Sequence, residues 1–164
     1  MEYPTRSIEQ AVEALAGLPG IGRKTALRLA MHLLRSPAGE TEELSSALRN
    51  MREQTRFCER CGNLSEAALC HICQSTRRDA GVICVVADAQ DVLAVEKTAQ
   101  YNGLYHVLGG LISPMEGVSP DDLRLNNLFE RVRTGGVEEL ILALSASMEG
   151  ETTAFYIAKA LREE

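Results

Sequence analysis

The sequence has no long hydrophobic run, no apolar signal segment and no low-complexity tract. Its longest strongly apolar runs, such as "VICVVA" and "LILAL", are far too short to cross a bilayer. The N-terminal stretch "MEYPTRSIEQ" contains an acidic residue and lacks an apolar signal core, so we expect a cytoplasmic protein. Because 45% of the 164 residues are hydrophobic, we expect a folded globular chain, either one domain or two to three small modules that share a core.

The chain also lacks an excess of positive charge, since its formal net charge is -6. Residues 1–80 carry 11 Lys and Arg against 10 Asp and Glu, whereas residues 81–164 carry 6 against 13. The acidity therefore belongs to the second half of the sequence. The first half is free to meet an anion through a local basic patch.

The five cysteines are an odd number in a chain without a signal segment, which argues against a disulfide framework. Four of them form the pattern C-x2-C-x8-C-x2-C, at Cys58, Cys61, Cys70 and Cys73. A spacing of two residues lets a tight turn aim both sulfurs at one centre, and two such turns complete a tetrahedron. The pattern predicts one structural zinc ion with no open position for catalysis. The fifth cysteine, Cys84, lies in a predicted buried strand and is interpreted as a small core residue.

The first 56 residues have the spacing of three short helices. Ser7 followed by Gln10 predicts a capping box at the start of the first helix. The second helix is predicted over residues 23–35 and the third near residues 41–56. The apolar residues of the third helix that we expect to face inward are Leu44, Leu48 and Met51. Helices this short need one another to bury their apolar stripes.

After the cysteines the pattern changes to alternating strands and helices. "GVICVVA" is a continuous β-branched run typical of a buried parallel strand. "AQDVLAVEKTAQ" predicts a helix, "YHVLGG" a strand, "SPDDLRLNNLFERVR" a helix capped by Ser119, "VEELILALS" a strand and "ETTAFYIAKALREE" a helix. This alternation implies a parallel sheet with helices on its faces. We divide the chain into a helical region 1–56, a zinc finger 57–76 and an α/β domain 77–164.

The stretch "LAGLPGIGRKTALRLA" joins the first two helices through three glycines and a proline. Glycines let the backbone approach a ligand closely, and the unpaired amides that open the second helix carry the positive end of its dipole. Lys24 and Arg28 are four residues apart and share one helical face. These features predict a site for nucleic acid phosphates, bound without regard to base sequence. The residues assigned to this DNA-binding site are Gly20, Gly22, Arg23, Lys24, Thr25 and Arg28.

Two nucleotide-binding motifs come close to this stretch but fail. A P-loop needs a lysine directly after its second glycine, and here Arg23 intervenes. It also needs a preceding strand, whereas residues 7–16 have a helical pattern. A dinucleotide motif fails because Thr25 occupies the third glycine position. A plain turn between two helices, with solvated charges, stays open as the alternative.

The order of these modules resembles the RecR family of bacterial recombination mediators over essentially the whole chain. The resemblance is carried by the helix-hairpin-helix core "GLPGIG", the four-cysteine finger, "ICVVADAQDVLAVEKT", "GLYHVLGGLISPMEGVSPDDL" and "EGETTAFYIAKAL". It implies that the α/β domain has the Toprim fold, which topoisomerases and primases share. It further implies a nucleoid-associated DNA repair protein that acts with RecO and RecF to promote RecA loading at single-stranded gaps.

Catalytic Toprim domains hold magnesium with a glutamate and a D-x-D pair. The resemblance places the glutamate position on Ala87 and the D-x-D positions on Ser145 and Ser147. The acidic residues that remain nearby are Asp88, Asp91, Glu149 and Glu151. We interpret these four as a docking surface for basic partners or a weak metal surface, and we expect neither catalysis nor bound magnesium.

The resemblance also implies a C-terminal tail, often with a "GVPVGGELE"-like stretch, whereas this chain stops at Glu164. In the family the tail serves subunit exchange within a ring-shaped tetramer that encircles DNA. We expect a dimer through the N-terminal helices, or an incomplete assembly, without the tail and a ring tetramer with it.

Two functions of other classes stay open. A magnesium-dependent Toprim nuclease or primase-like enzyme would require carboxylates such as Glu149 or Glu151 to do the work of the missing cage. A protein-only scaffold would bind partners through the finger and the acidic domain, while the hairpin only packs helices.

Overall fold

The computed structural model describes residues 3–162. The chain divides into two compact units, Met1–Gln54 and Thr55–Glu164. The first is helical, and the second contains the finger and a mixed α/β segment. Among the described residues, no helix combines the length and the apolar character that a membrane span requires.

The first unit consists of α1 (Arg6–Ala16), α2 (Arg23–Arg35) and α3 (Ala38–Gln54). Its buried core is small and lies between α1 and α2, where Val12, Ala26 and Ala30 are packed by partly buried neighbours such as Ile21 and Leu27. The predicted bounds of the second helix are confirmed. The predicted cap of the first helix is wrong: Thr5, not Ser7, accepts the Ile8 amide through its side chain at 3.3 Å.

The third helix differs from the prediction in its packing. None of its described residues is buried, and the exposed fractions of Leu44, Leu48 and Met51 are 44%, 55% and 61%. The expected inward-facing stripe is therefore wrong for this chain by itself. The residues that are buried in the described part of this unit lie on α1 and α2, so its small core forms without the stripe of α3.

The second unit begins with the finger. The two-stranded antiparallel ribbon β1 (Arg56–Phe57) and β2 (Leu64–Ser65) is followed by the short helix α4 (His71–Gln74). The rest of the unit contains β3 (Asp79–Val86), α5 (Ala89–Glu96), β4 (Gly103–Val107), α6 (Leu125–Thr134), β5 (Glu139–Leu142) and α7 (Met148–Arg162). Buried residues of the finger and of the sheet belong to one hydrophobic core.

A three-stranded parallel sheet organises this unit, in the order β4-β3-β5. The central strand β3 is buried at Ile83, Cys84, Val85 and Val86, as its continuous apolar sequence predicts. Cys84 is 3% exposed, which confirms its predicted place in the core. The fold class predicted from the sequence is confirmed: a helical hairpin region, a small finger and a parallel α/β sheet.

The segment predicted as one helix from Ser119 is two elements. Ser119 does cap a turn, because its hydroxyl and its amide both donate to the Asp122 carboxylate. This turn is a 3-10 helix, Pro120–Asp122. Leu123 then adopts an extended conformation and α6 starts at Leu125. The break has a tertiary cause, since the Arg124 amide donates to the Leu108 carbonyl beyond the end of β4.

Candidate metal centre and nucleic-acid interface

Four cysteines of the finger converge on one point. One sulfur atom from each of Cys58, Cys61, Cys70 and Cys73 lies within 4.8 Å of every other. The Cys61 and Cys70 sulfurs are 3.6 Å apart, and all four residues are at most 7% exposed. Within residues 3–162 this is the one group of three or more His, Cys, Asp and Glu side chains whose geometry could hold a metal ion.

The backbone of the first knuckle, the turn that contains Cys58 and Cys61, explains why the sulfurs converge. The Cys58 amide donates to the Asn63 carbonyl at 2.7 Å, and the Gly62 amide donates to the Cys58 carbonyl at 2.9 Å. Gly62 has φ +75, and a Cβ at this position would lie 2.7 Å from the Val107 carbonyl oxygen. The knuckle is also joined to β4, because the Val107 amide donates to the Cys61 carbonyl at 2.7 Å. A glycine is thus required where the finger meets the sheet.

The four thiols have unequal proton affinities. Burial opposes ionisation of Cys58, but the amides of Cys70, Cys61 and Arg60 donate to its sulfur and lower its pKa to about 7. The pKa of Cys61 is raised by its hydrogen bond with Cys73 and by burial, and burial raises the pKa of Cys70 to about 11. Four buried thiols this close together need a shared cation before all of them can be thiolates.

The donor set fits zinc. Four soft sulfur donors on two turns, buried and mutually close, match the closed tetrahedral arrangement of a structural zinc site. Zinc bound there would cross-link the turn after β1 to α4, and its four thiolate ligands would leave no position for a substrate.

Two arginines, one within the finger and one on α6, were not singled out by sequence spacing. Arg60 Nη1 donates to the Cys73 carbonyl at 3.3 Å, and Arg131 Nη1, from α6, donates to the Tyr105 carbonyl at 2.7 Å. Burial lowers the pKa of Arg131, while the thiols of Cys73 and Cys61 raise it. In sequence Arg131 is one more basic residue near the end of an amphipathic helix, so only the fold reveals it.

The hairpin between α1 and α2 has the expected form. The Ile21 amide donates to the Leu18 carbonyl at 3.1 Å, and Gly20 adopts φ +78, which favours glycine. Ile21 packs against the small core and so anchors the turn. Gly22 is the N-cap of α2, and no side chain caps this end. The first amides of a helix of 13 residues are therefore presented without a capping side chain.

The basic residues assigned to the hairpin lie together at this helix end. Arg23, Lys24 and Arg28 are exposed, and Thr25 is half-buried. The first turn of α2 contains no acidic residue. Unpaired amides, the positive end of the helix dipole and exposed cations favour a phosphate group, and none of them reads a base.

The carboxyl edge of the sheet holds the three positions that the sequence resemblance assigns to the acids of catalytic Toprim domains. Ala87 follows β3, and Ser145 and Ser147 follow β5, the strand that pairs with β3. The hydroxyl oxygens of Ser145 and Ser147 are 2.9 Å apart, and Ser147 accepts the Gly150 amide at the start of α7. The two serines thus hold the start of a helix.

The four acidic residues assigned to this surface fall into two pairs. Asp88 and Asp91 form a capping box for α5: Asp88 accepts the Gln90 amide at 2.7 Å, and Asp91 accepts the Asp88 amide at 3.0 Å. Glu149 and Glu151 lie in the first turn of α7. Each pair stabilises the positive end of a helix dipole, which accounts for acids at these places without a ligand.

Three family descriptions match successive parts of the chain. The RecR helix-hairpin-helix family matches residues 8–52, the RecR four-cysteine zinc finger domain matches residues 55–75 and the Toprim domain matches residues 81–164. The last match covers about half of the chain.

Many proteins named recombination protein RecR are similar over nearly the full length. The protein from Flavobacterium johnsoniae is 53% identical over 163 residues, which cover 99% of this chain and 79% of that protein. The proteins from Cytophaga hutchinsonii and Amoebophilus asiaticus are 52% and 50% identical over 163 residues, with 80% and 82% of their lengths covered.

Proposed function

Because this chain belongs to the RecR family of recombination proteins, we propose that it binds DNA in recombinational repair and catalyses no reaction there. The observation that carries the proposal is the hairpin. Exposed Lys24 and Arg28 stand beside the uncapped start of α2, in a turn whose glycines leave room for a phosphate backbone. The DNA-binding residues we propose are Gly20, Gly22, Arg23, Lys24, Thr25 and Arg28.

The partners we propose are RecO and RecF, with RecA loading at single-stranded gaps as the outcome. Family membership and the uneven charge of the chain support this part of the proposal. Residues 81–164 carry 13 acidic against 6 basic residues, which suits a docking surface for basic partners better than a second DNA-binding face. The proposed docking surface contains Asp88, Asp91, Glu149 and Glu151.

We propose one structural zinc ion on Cys58, Cys61, Cys70 and Cys73, within a finger that spans residues 57–76 between a helical region 1–56 and an α/β domain 77–164. The proposed place of action is the cytoplasm, at the nucleoid, since the hairpin suits DNA without regard to sequence. We propose that no magnesium is bound, because the resemblance places Ala87, Ser145 and Ser147 where catalytic Toprim domains have their metal-holding acids.

Self-association through the N-terminal helices is supported by exposed apolar residues. Leu44, Leu48 and Met51 form an uncovered stripe on α3, and Leu34 of α2 is also exposed. An apolar hollow of about 520 Å³ lies in the same unit, lined by residues that include Ile8 and Leu33. We expect these helices to form a dimer interface, and a ring tetramer to need a further C-terminal segment as its second interface.

The decisive experiment measures DNA affinity of the double variant Lys24→Ala/Arg28→Ala over a range of salt concentrations. We expect about a tenfold loss of affinity at low salt and a salt slope smaller by about 2, with little dependence on base sequence. The matched control is Arg49→Ala/Arg52→Ala, which removes the same charge from exposed positions on α3 of the same unit.

Three results would contradict the proposal. Equal losses in the two double variants would mean that net charge, not the hairpin, drives binding. A wild-type chain that ignores DNA at low salt yet holds partner proteins would favour the scaffold. Magnesium-dependent strand cleavage that is abolished by Glu149→Gln or Glu151→Gln would favour the nuclease.

A further inference from the structure

Two arginines line one pocket next to the finger. The pocket has a volume of about 310 Å³, and its lining includes Arg60, Arg131, Ala80 and Leu104. Arg60 lies between Cys58 and Cys61 in the sequence, whereas Arg131 comes from α6, far along the chain. The pocket therefore brings a cation of the finger and a cation of the α/β segment together.

Arg131 is half-buried, and one end of its guanidinium is enclosed without a carboxylate partner in the described part of the chain. Its Nη1 donates to the Tyr105 carbonyl at 2.7 Å, while its Nη2 is buried and has no hydrogen-bond partner. In the part of the chain that the structure describes, neither Arg131 nor Arg60 forms an ion pair with a carboxylate. A partly buried charge without a partner destabilises the fold, so a nearby negative charge would compensate it.

Because Arg60 lies near Arg131, the need for negative charge around Arg131 is greater. Arg60 lowers the pKa of Arg131 by repulsion, in addition to the larger effect of burial. The groups that act in the opposite direction are the sulfurs of Cys73, Cys61 and Cys58. Arg60 Nη1 also donates to the carbonyl of Cys73 at 3.3 Å. Arg131 is held to β4 at the Tyr105 carbonyl, two residues from Val107, whose amide donates to the Cys61 carbonyl. Both arginines therefore lie near the cysteine cluster.

The charges balance when a divalent metal ion is bound by the four cysteines. Four thiolates around a divalent ion leave a net charge of about -2 in a buried site, and two arginines supply the opposite amount. We propose that Arg60 and Arg131 are the counter-charge of the zinc centre, and that Arg131 brings half of it from outside the finger. This inference rests on the proposed zinc ion.

One consequence is that metal affinity depends on the α/β segment. Arg131 lies on the same helix as the buried Leu128 and Phe129, so the packing of α6 fixes where its guanidinium stands. Arg131 is then a positioning residue that stabilises the thiolates without binding the metal itself. A finger detached from α6 should bind zinc more weakly than the same finger in the full chain.

The experiment compares zinc affinity in the full chain for the wild type, Arg131→Met, Arg131→Lys and Arg60→Met, by competition with a chromophoric zinc chelator. Removing either charge is expected to weaken zinc binding 10- to 100-fold, the usual range for groups that support metal ligands. Arg131→Lys should recover most of the affinity, because it keeps the charge. Arg133→Met, an exposed position on the same helix, is the matched control and should stay within about twofold of the wild type.

Cobalt substitution gives a second readout, since the sulfur-to-cobalt absorption reports thiolate ligation directly in each variant. If Arg131→Met unfolds, Arg60→Met and Arg131→Lys still test the charge. Affinities of both Met variants within twofold of the Arg133→Met control would overturn the inference while leaving the zinc site intact. A wild-type chain that binds neither zinc nor cobalt would instead overturn the proposed metal itself.

Discussion

The two compact units of this chain differ in how they bury apolar surface. The buried apolar residues of the helical unit, among those the structure describes, are Val12, Ala26 and Ala30. The second unit has a continuous core that runs from the finger cysteines through β3 and β4 to Leu128 and Ile157. Small residues let α1 and α2 approach closely, but they exclude little surface from water. The second unit has the means to be stable by itself, whereas the first has apolar residues left over for a partner.

The two units also use their charged residues differently. The helical unit presents its cations at an exposed, uncapped helix end, where an external anion can reach them. The second unit brings two arginines to one pocket next to the finger, and its Asp88 and Asp91 cap a helix. Net charge alone would not distinguish these uses, because each depends on where the fold exposes the residue.

Removal of the metal is the change expected to have the largest effect. Treatment with a strong chelator, or Cys61→Ser, should destabilise the second unit by on the order of 10 kcal/mol, since structural zinc contributes folding free energy directly. Hydrogen exchange should then show loss of protection in β3 and β4 and little change at α1 and α2. Equal loss of hydrogen-exchange protection in both units would contradict the expectation that the metal stabilises the second unit alone.

The next prediction compares one substitution in the two units. Leu128→Ala in the core should lower the free energy of unfolding by about 2–5 kcal/mol, because it leaves a cavity among buried side chains. Leu48→Ala on α3 should change it by about 0.5 kcal/mol or less at a concentration where the chain is monomeric, because Leu48 is exposed. Urea denaturation of both variants checks the difference.

The effect of Leu48→Ala should depend on protein concentration. If α3 forms the dimer interface, Leu48→Ala should weaken association in sedimentation experiments, although it does not affect the monomer. A large effect of Leu48→Ala on the monomer would show that the stripe on α3 is covered within the chain, and would contradict the difference between the two units.

Stability of the second unit should also depend on pH. His106 on β4 is buried, which lowers its pKa to about 4, and its Nε2 bonds to the Arg124 carbonyl. Between the unfolded pKa of about 6.5 and the folded value, the unfolded chain takes up the proton, so stability falls as pH falls and levels off below about 4. From pH 7 to 5 the loss should be about 2 kcal/mol.

The matched variant is His106→Gln, whose amide can still donate to the Arg124 carbonyl. Urea denaturation at the two pH values should show a smaller loss for this variant than for the wild type. Because both proteins contain the same four cysteines, acid release of a metal cancels in the difference. An identical loss in the two proteins would assign the pH dependence elsewhere.

Local patterns predicted much of the fold. The bounds of α2 and the buried strand β3 follow from side-chain spacing and from a continuous β-branched run. The convergence of the four cysteines follows from their spacing, since each knuckle is a local turn. The split before α6 could not be predicted, because the Arg124 amide is paired with Leu108, a partner 16 residues away in the sequence. The outward stripe of α3 was missed because periodicity marks an apolar face without identifying what covers it.

The order of the modules, the cysteine ligands and the hairpin follow from the sequence, because each of these depends on residues close together in the chain. Which charged groups are buried depends on the tertiary structure. Arg23 and Arg131 are the same residue type on helices of similar pattern, yet Arg23 is exposed at a helix start, whereas Arg131 is held at the Tyr105 carbonyl with its Nη2 buried. Burial and long-range contacts arise only when distant segments pack, and they set the energy of a charge far more than its neighbours in sequence do.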